Sequence, residues 1–219
     1  MDVFDIIGPV MIGPSSSHTA GAARIGRIAR ALLGERPVRA RIGLHGSFAR
    51  TFRGHGTDRA LAGGILGMAP DDGRIRDSLA LARQQGLDIA FAPVHLEDAH
   101  PNTAQVTLTG ESGRQVTVQG ASVGGGSIHI TRVNGMAVDV SGEHTTLIVI
   151  HRDAPGTIAA VTEELSLRKV NICNFRLARA HKGGTAVMTI EVDGTLDEAL
   201  NERVEKLPNV LSSTMLLPV

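Results

Sequence analysis

The spacing of apolar residues predicts an α+β chain in two parts, and three observations carry that prediction. Over residues 1–143, amphipathic helical stretches mix with alternating strands. Over residues 144–219 the elements settle into the order β-α-β-β-α-β. The third is a set of Ser-, His-, Asn- and Gly-rich motifs, all before residue 129, which places the candidate chemistry in the first part.

From Thr19 to Leu33 apolar side chains recur at Ala22, Ile25, Ile28, Ala29 and Leu32, the stripe of a helix packed on one side. "PVRARIGLHG" alternates apolar and basic residues up to Leu44, as a half-buried strand does. A helix starts near Asp58, and "RIRDSLALARQQG" is another, closed by Gly86. "LDIAFAPVHL" reads as a strand, and "TAQVTLTGESGRQVTVQG" as a hairpin. "SIHITRVNGMAVDV" is a second hairpin, turning at Asn134-Gly135. In the second part "TTLIVIHRD", "NICNFRLARAH", "GTAVMTIEVDG" and "VLSSTMLLPV" are strands. "PGTIAAVTEELSLRKV" and "TLDEALNERVEKL" are helices between them. This is the ferredoxin-like split unit.

Composition narrows the function classes. Of 219 residues, 42% are hydrophobic and 20% charged, an ordinary globular balance. Lys plus Arg equals Asp plus Glu at 22 each, so no net positive field draws nucleic acid or an anionic membrane. With no Trp or Tyr and five Phe, platforms for stacking bases are few. No apolar run reaches the ~20 residues that span a bilayer, and "MDVFDIIGPVMIG" has two Asp and no basic residue, unlike a secretory leader. The single cysteine, Cys173, allows no internal disulfide and reads as a small core residue on its strand. A reducing, cytoplasmic setting is expected.

Four short motifs hold the candidate chemistry. "GPSSSHTAGA" puts Ser15, Ser16, Ser17 and His18 at a helix start, where hydroxyls cap the helix or hold a carboxylate or phosphate. In "RGHGTDRA" His55 lies between glycines that leave the ring unshielded, and Asp58 is placed to cap the following helix. "DAHPNT" presents His100 and Asn102 from a loop stiffened by Pro101. "SVGGGSI" is either a hairpin turn or a nest of amides for an anion. No HExxH, CxxC or paired-His spacing is present, so no metal site made wholly by this chain is expected.

Taken in order, "GPSSSHTAGA", "GSFARTFRGHGTD", "HPNT" and "SVGGGSI" resemble the iron–sulfur-dependent bacterial L-serine dehydratases, in particular the beta subunit of the two-chain form. The resemblance spans the chain: a substrate-binding-type domain over 1–143, then an ACT domain over 144–219, the latter carried by "HRDAPG" and "VNI". It implies conversion of L-serine to pyruvate and ammonia at a site shared with an alpha subunit. That subunit would hold a [4Fe–4S] cluster, whose open iron polarises the leaving hydroxyl. His18, His55 and His100 are the implied catalytic residues, His55 as the Cα base, because imidazole moves protons near neutral pH. Ser15, Ser16, Ser17 and Asn102 are implied to bind substrate, with His45, Ser47 and Asp58 as site neighbours. His45 departs from the family, which carries tyrosine before "GS". In the ACT part, Asp153, Pro155, Gly156 and Asn171 are implied to contact a small regulatory ligand, with self-association through ACT domains also expected. A monovalent cation stays open.

Two other readings compete. An amino-acid sensor with an ACT domain needs no chemistry, but it would not need His18, His55 and His100 in loops. A hydrolase using Ser17 and His18 needs a nucleophile–base reach that adjacent residues rarely have, and an orienting acid that is missing.

Overall fold

The computed structural model describes Gly13 and residues 15–218; the leader expectation falls on residues outside these. The chain divides between Asn134 and Gly135 into two compact units.

In the first unit, a π-helical turn at Ser17–Gly21 runs straight into helix α1 (Ala22–Leu33). Strand β1 (Pro37–Leu44) leads to α2 (Gly46–His55) and α3 (Thr57–Ile65). A 3₁₀ turn at Gly73–Asp77, α4 (Ser78–Gln84) and β2 (Asp88–Pro93) follow. The unit closes with β3 (Thr103–Gly110), β4 (Gln115–Gly124) and β5 (Ser127–Val133). Strand order in this part is β2-β1-β3-β4-β5, with β1 and β2 parallel and the other pairs antiparallel. The parallel pair is possible because α2 to α4 supply the long crossover it needs.

Register explains the core. Ile42 faces Val106, which faces Val118; beside them Ala40 faces Leu108, which faces Val116. All six side chains are buried, as strand alternation places one face inward. Helix α1 lies on β3 and β4 and packs closely along α3. Its buried stripe of Ile25, Ile28, Leu32 and Leu33 meets Leu61 and Ile65. Each such side chain contributes about 1.5–3 kcal/mol on burial. The approach is tight because Gly26 and Gly64 stand at the crossing: a Cβ on Gly64 would lie 2.0 Å from the Ala23 carbonyl oxygen.

The second unit holds β6 (Met136–Val140), β7 (Thr145–Arg152), α5 (Thr157–Leu167), β8 (Ile172–Arg179), β9 (Thr185–Val192), α6 (Glu198–Glu205) and β10 (Val210–Leu216). From β7 on, the order β-α-β-β-α-β matches the sequence prediction. The antiparallel sheet β10-β7-β9-β8 has the ferredoxin-like arrangement. Leu147, Val149, Met188 and Ile190 line one face, with Val161 and Leu165 of α5 and Leu200 and Val204 of α6 in the same core cluster. β6 lies against β8 and β9. There Glu191 is buried and fully engaged: Ser141 donates to it from its N–H and hydroxyl, and Asn174 from its amide at 3.0 Å.

Two expectations change, and one open alternative is decided. Residues 46–55 form a helix, so His55 ends α2 instead of standing in an open turn. Its N-terminus is held from outside the segment, by the Pro101 carbonyl accepting the Ser47 and Phe48 N–H groups. Cys173 is exposed, since β8 is an edge strand whose alternation turns position 173 outward. The Gly124–Gly126 run is a hairpin turn: Gly124 pairs Ser127, and Gly125 and Gly126 both have positive φ, as a two-residue turn of this hand requires.

Candidate functional site

His18 is the centre of a cluster built by two elements of the first unit and the residues leading into the first. The π-helical turn carries it, buried, against the aromatic ring of Phe48 on α2, 5.2 Å between ring centres. The ring of His55, at the far end of α2, meets it edge to face at 4.7 Å. Ser15 Oγ lies 3.2 Å from His18 Nδ1, and Ser47 Oγ lies 3.3 Å from Nε2. Ser15 also accepts the His18 backbone N–H at 3.4 Å, so one hydroxyl both caps the turn and fixes the ring.

A turn widened to the π pattern brings Gly21 N–H onto the Ser16 carbonyl, five residues back. Such turns are rare and concentrate at functional sites. Here it directs the His18 ring towards α2, which a regular helix start does not require.

Burial, and secondarily the neighbouring His55, lower the His18 pKa from its ordinary 6.5. The ring is therefore neutral at pH 7, with one nitrogen donating and the other accepting. One of Ser15 and Ser47 must then donate and the other accept. The unfolded chain binds the proton more readily below pH 6.5, so this group's contribution to stability is present above that pH and lost as pH falls. Chemical denaturation of His18→Gln should show a flatter loss of stability on acidification than the parent. Equal slopes would show that His18 is not the group responsible.

His55 differs from His18 in one respect: its Nδ1 is buried and has no hydrogen-bond partner among the described residues. Buried polar atoms are normally satisfied, so this nitrogen, like the buried Nε2 of His151, stands out.

The remaining expected residues make contacts of their own. The "HPNT" loop is clamped on α2 through the Pro101 carbonyl, with the Ser47 N–H donating at 2.8 Å. His100 is exposed; its Nδ1 accepts the Asn102 N–H at 3.1 Å. The Asn102 carbonyl accepts the Ser122 N–H, joining the loop to the end of β4. His45 Nδ1 accepts the Leu96 N–H at 3.2 Å, and its ring lies 5.7 Å from that of His95. Ser16 and Ser17 are half-buried and make no side-chain hydrogen bond among the described residues. Among the described residues, the hydroxyls touching His18 are therefore those of Ser15 and Ser47, not Ser17, and no carboxylate bonds either of its ring nitrogens. Asp58 sits in the first turn of α3 but does not cap it; its carboxylate accepts the Arg59 N–H.

Arg24 is a contributor that the motifs did not signal. Its guanidinium donates to the Gly126 carbonyl at 2.7 Å, tying the glycine turn to α1. Nothing in its spacing distinguishes it from other arginines of an amphipathic helix.

In the second unit, the Asp153 carboxylate is occupied. The Gly183 N–H donates to it at 3.0 Å and Arg179 at 2.9 Å, and these bonds lower its pKa in that order. Pro155 and Gly156 are exposed before α5, and the exposed Asn171 donates to Asp193 at 2.6 Å.

Among the described residues no group of three or more His, Cys, Asp or Glu side chains could hold a metal ion, and Cys173 lies in the other unit from His18. The ligand set of an iron–sulfur cluster does not fit this chain alone. No described helix is long and apolar enough to cross a membrane.

Comparison with known proteins bears on both units. The model of the serine dehydratase beta chain family matches residues 2–132, and that of the acetohydroxyacid synthase (AHAS) small subunit-like ACT domain matches residues 147–212. The probable L-serine dehydratase beta chain of Bacillus subtilis is 47% identical over 212 residues, covering 97% of this chain and 96% of that one. The L-serine dehydratase beta chain of Peptoniphilus asaccharolyticus is 40% identical over 202 residues, covering 92% and 91%. The L-serine dehydratase of Mycobacterium bovis is 31% identical over 173 residues, which are 68% of this chain but 36% of that protein.

Proposed function

Because the chain belongs to the serine dehydratase beta chain family, we propose that it forms a shared active site with an alpha subunit and there converts L-serine to pyruvate and ammonia. The single observation that carries this reading is the paired histidines. His18 has both ring nitrogens engaged by Ser15 and Ser47, while the adjoining His55 keeps a buried Nδ1 with no partner among the described residues. One ring is held; the other is free to act.

In the proposed reaction His55 takes the Cα proton of L-serine. The electron pair forms the Cα–Cβ double bond and the hydroxyl leaves with a proton as water. The enamine that results tautomerises and hydrolyses to pyruvate and ammonium. His18, neutral and fixed, orients His55 and the substrate through its serine hydroxyls. His100 and Asn102, on the loop clamped to α2, complete the wall around the substrate with Ser16 and Ser17. In this reading the [4Fe–4S] cluster belongs to the alpha subunit, in keeping with the lack of a ligand set for it among the described residues. The longer mycobacterial relative, of which this chain matches about a third, is consistent with a remaining portion supplied here by a second chain. Cytoplasmic location follows from the same reading.

The ACT unit is proposed to regulate. A small ligand, serine among the candidates, would bind by the loop at Asp153–Gly156 and Asn171. Two copies would associate along the edge strand β8, where Phe175 and Leu177 are exposed.

The test is anaerobic pyruvate formation from L-serine by this chain alone and co-purified with an alpha chain. Activity in the pair and none in the single chain is expected. A stable pair loaded with iron that makes no pyruvate would overturn the assignment and favour the sensor.

A further inference from the structure

At the opposite end of α1 from His18, the helix and the turn after it frame a cavity of about 520 Å³. Arg27, Arg30, Ala31, Glu35, Arg36 and Gly67 are among the residues that line it. Arg27, Arg30 and Ala31 stand at i, i+3 and i+4, so a single helix face forms one wall.

The charges do not cancel inside. Glu35, the one carboxylate of the lining, is turned to the β3–β4 hairpin, where it accepts the Ser112 hydroxyl at 2.7 Å and the Ser112 N–H at 3.4 Å. Arg36 is shared between Glu111, at 2.8 Å, and the Gln85 carbonyl. Arg30 donates to the Ile65 carbonyl at 3.0 Å, a neutral acceptor. Arg27 has no acceptor among the described residues. Three guanidinium groups thus face the two carboxylates of Glu35 and Glu111, so the concave surface keeps a net positive charge, and Arg27 and Arg30 make no ion pair among the described residues. Guanidinium forks match the oxygens of phosphate, and pockets of this size take small organic molecules.

We propose that this cavity is a binding site for a phosphate group, free or carried on a small organic molecule, held chiefly by Arg27 and Arg30. Even Arg27, the nearer of the two, is nine residues along the chain from His18, about 14 Å at 1.5 Å per residue, so an occupant there does not compete for the histidine site. The site lies wholly within the first unit and stands or falls independently of the dehydratase reading.

Isothermal titration of the full chain with inorganic phosphate and with glycerol 3-phosphate tests this, with glycerol as the uncharged control. Saturable binding with a Kd below about 1 mM is expected for at least one phosphate compound and none for glycerol. Arg27→Gln should weaken it about tenfold or more, the worth of a charge-assisted hydrogen bond. Ala31→Glu, which places a negative charge in the wall at an exposed helix position, should do the same without removing any existing bond. Equal affinity for the two compounds identifies free phosphate as the occupant; tighter binding of the ester identifies an organic carrier. No saturable binding of either, or binding unmoved by both substitutions, overturns the proposal.

Discussion

His55→Ala should leave a folded chain that still pairs with its alpha subunit and has lost turnover. A well-placed acid–base group accelerates a step by about 10²–10⁴-fold, and a loss of that order in kcat is expected, with little change in KM. The fold should survive because His55 is the last residue of α2, only half-buried, with glycine on either side and one ring nitrogen unpartnered. His18→Ala should behave differently. It removes a buried ring that touches Ser15, Ser47, Phe48 and His55, so melting temperature and activity should fall together. Anaerobic pyruvate assays with parallel melting curves separate the two. Normal turnover in a folded His55→Ala pair would remove His55 from the chemistry.

The largest structural effect is expected at Gly64. Its missing Cβ lets α3 approach α1 so closely that an added carbon would stand 2.0 Å from the Ala23 carbonyl oxygen and 3.0 Å from the Arg27 nitrogen. Both are main-chain atoms, so no rotamer change relieves the clash and the helices must part. Overpacking of this kind costs about 1–3 kcal/mol or more. In a chain of this size that lowers Tm by roughly 2–4 °C per kcal/mol. Activity should fall beyond the stability loss, because α1 continues the turn carrying His18 and α3 follows directly on His55. Gly73→Ala is the matched control: nothing lies within 4 Å of its Cβ position. A Gly64→Ala chain melting with the parent would show that the two helices separate at little cost.

Local pattern made much of this architecture legible. β1 ends at Leu44 as its alternation indicates, and the second unit follows its predicted order from β7 to β10. The Asn134-Gly135 turn has the paired positive φ values that its sequence calls for. What local pattern could not carry was tertiary. α2 is short and polar, with Phe48 its one buried residue, and its first turn is anchored by a loop more than fifty residues away. Cys173 reads as core because strand residues often are, yet burial depends on whether another layer covers the face a side chain points to. The structure brings two of the motifs, "GPSSSHTAGA" and "GSFARTFRGHGTD", into contact. That His18 and His55 meet, and that Ser47 serves His18 while Ser17 does not, depends on how α1, α2 and the "HPNT" loop close together.

Helix α1 also sets a rule for how this sequence can change in length. It carries the buried histidine at its head and the arginine wall at its tail, and both are keyed to their neighbours by rotation about one axis. Adding or deleting a single residue within α1 would turn one end about 100° against the other. The apolar stripe, the Gly26–Gly64 crossing and the arginine face would all fall out of phase at once. The stretch between α3 and the 3₁₀ turn, with Pro70 half-buried and Asp71 exposed, has no such phase to keep. Length variation among relatives should gather there and be absent from α1, and a one-residue insertion in each tests the contrast directly.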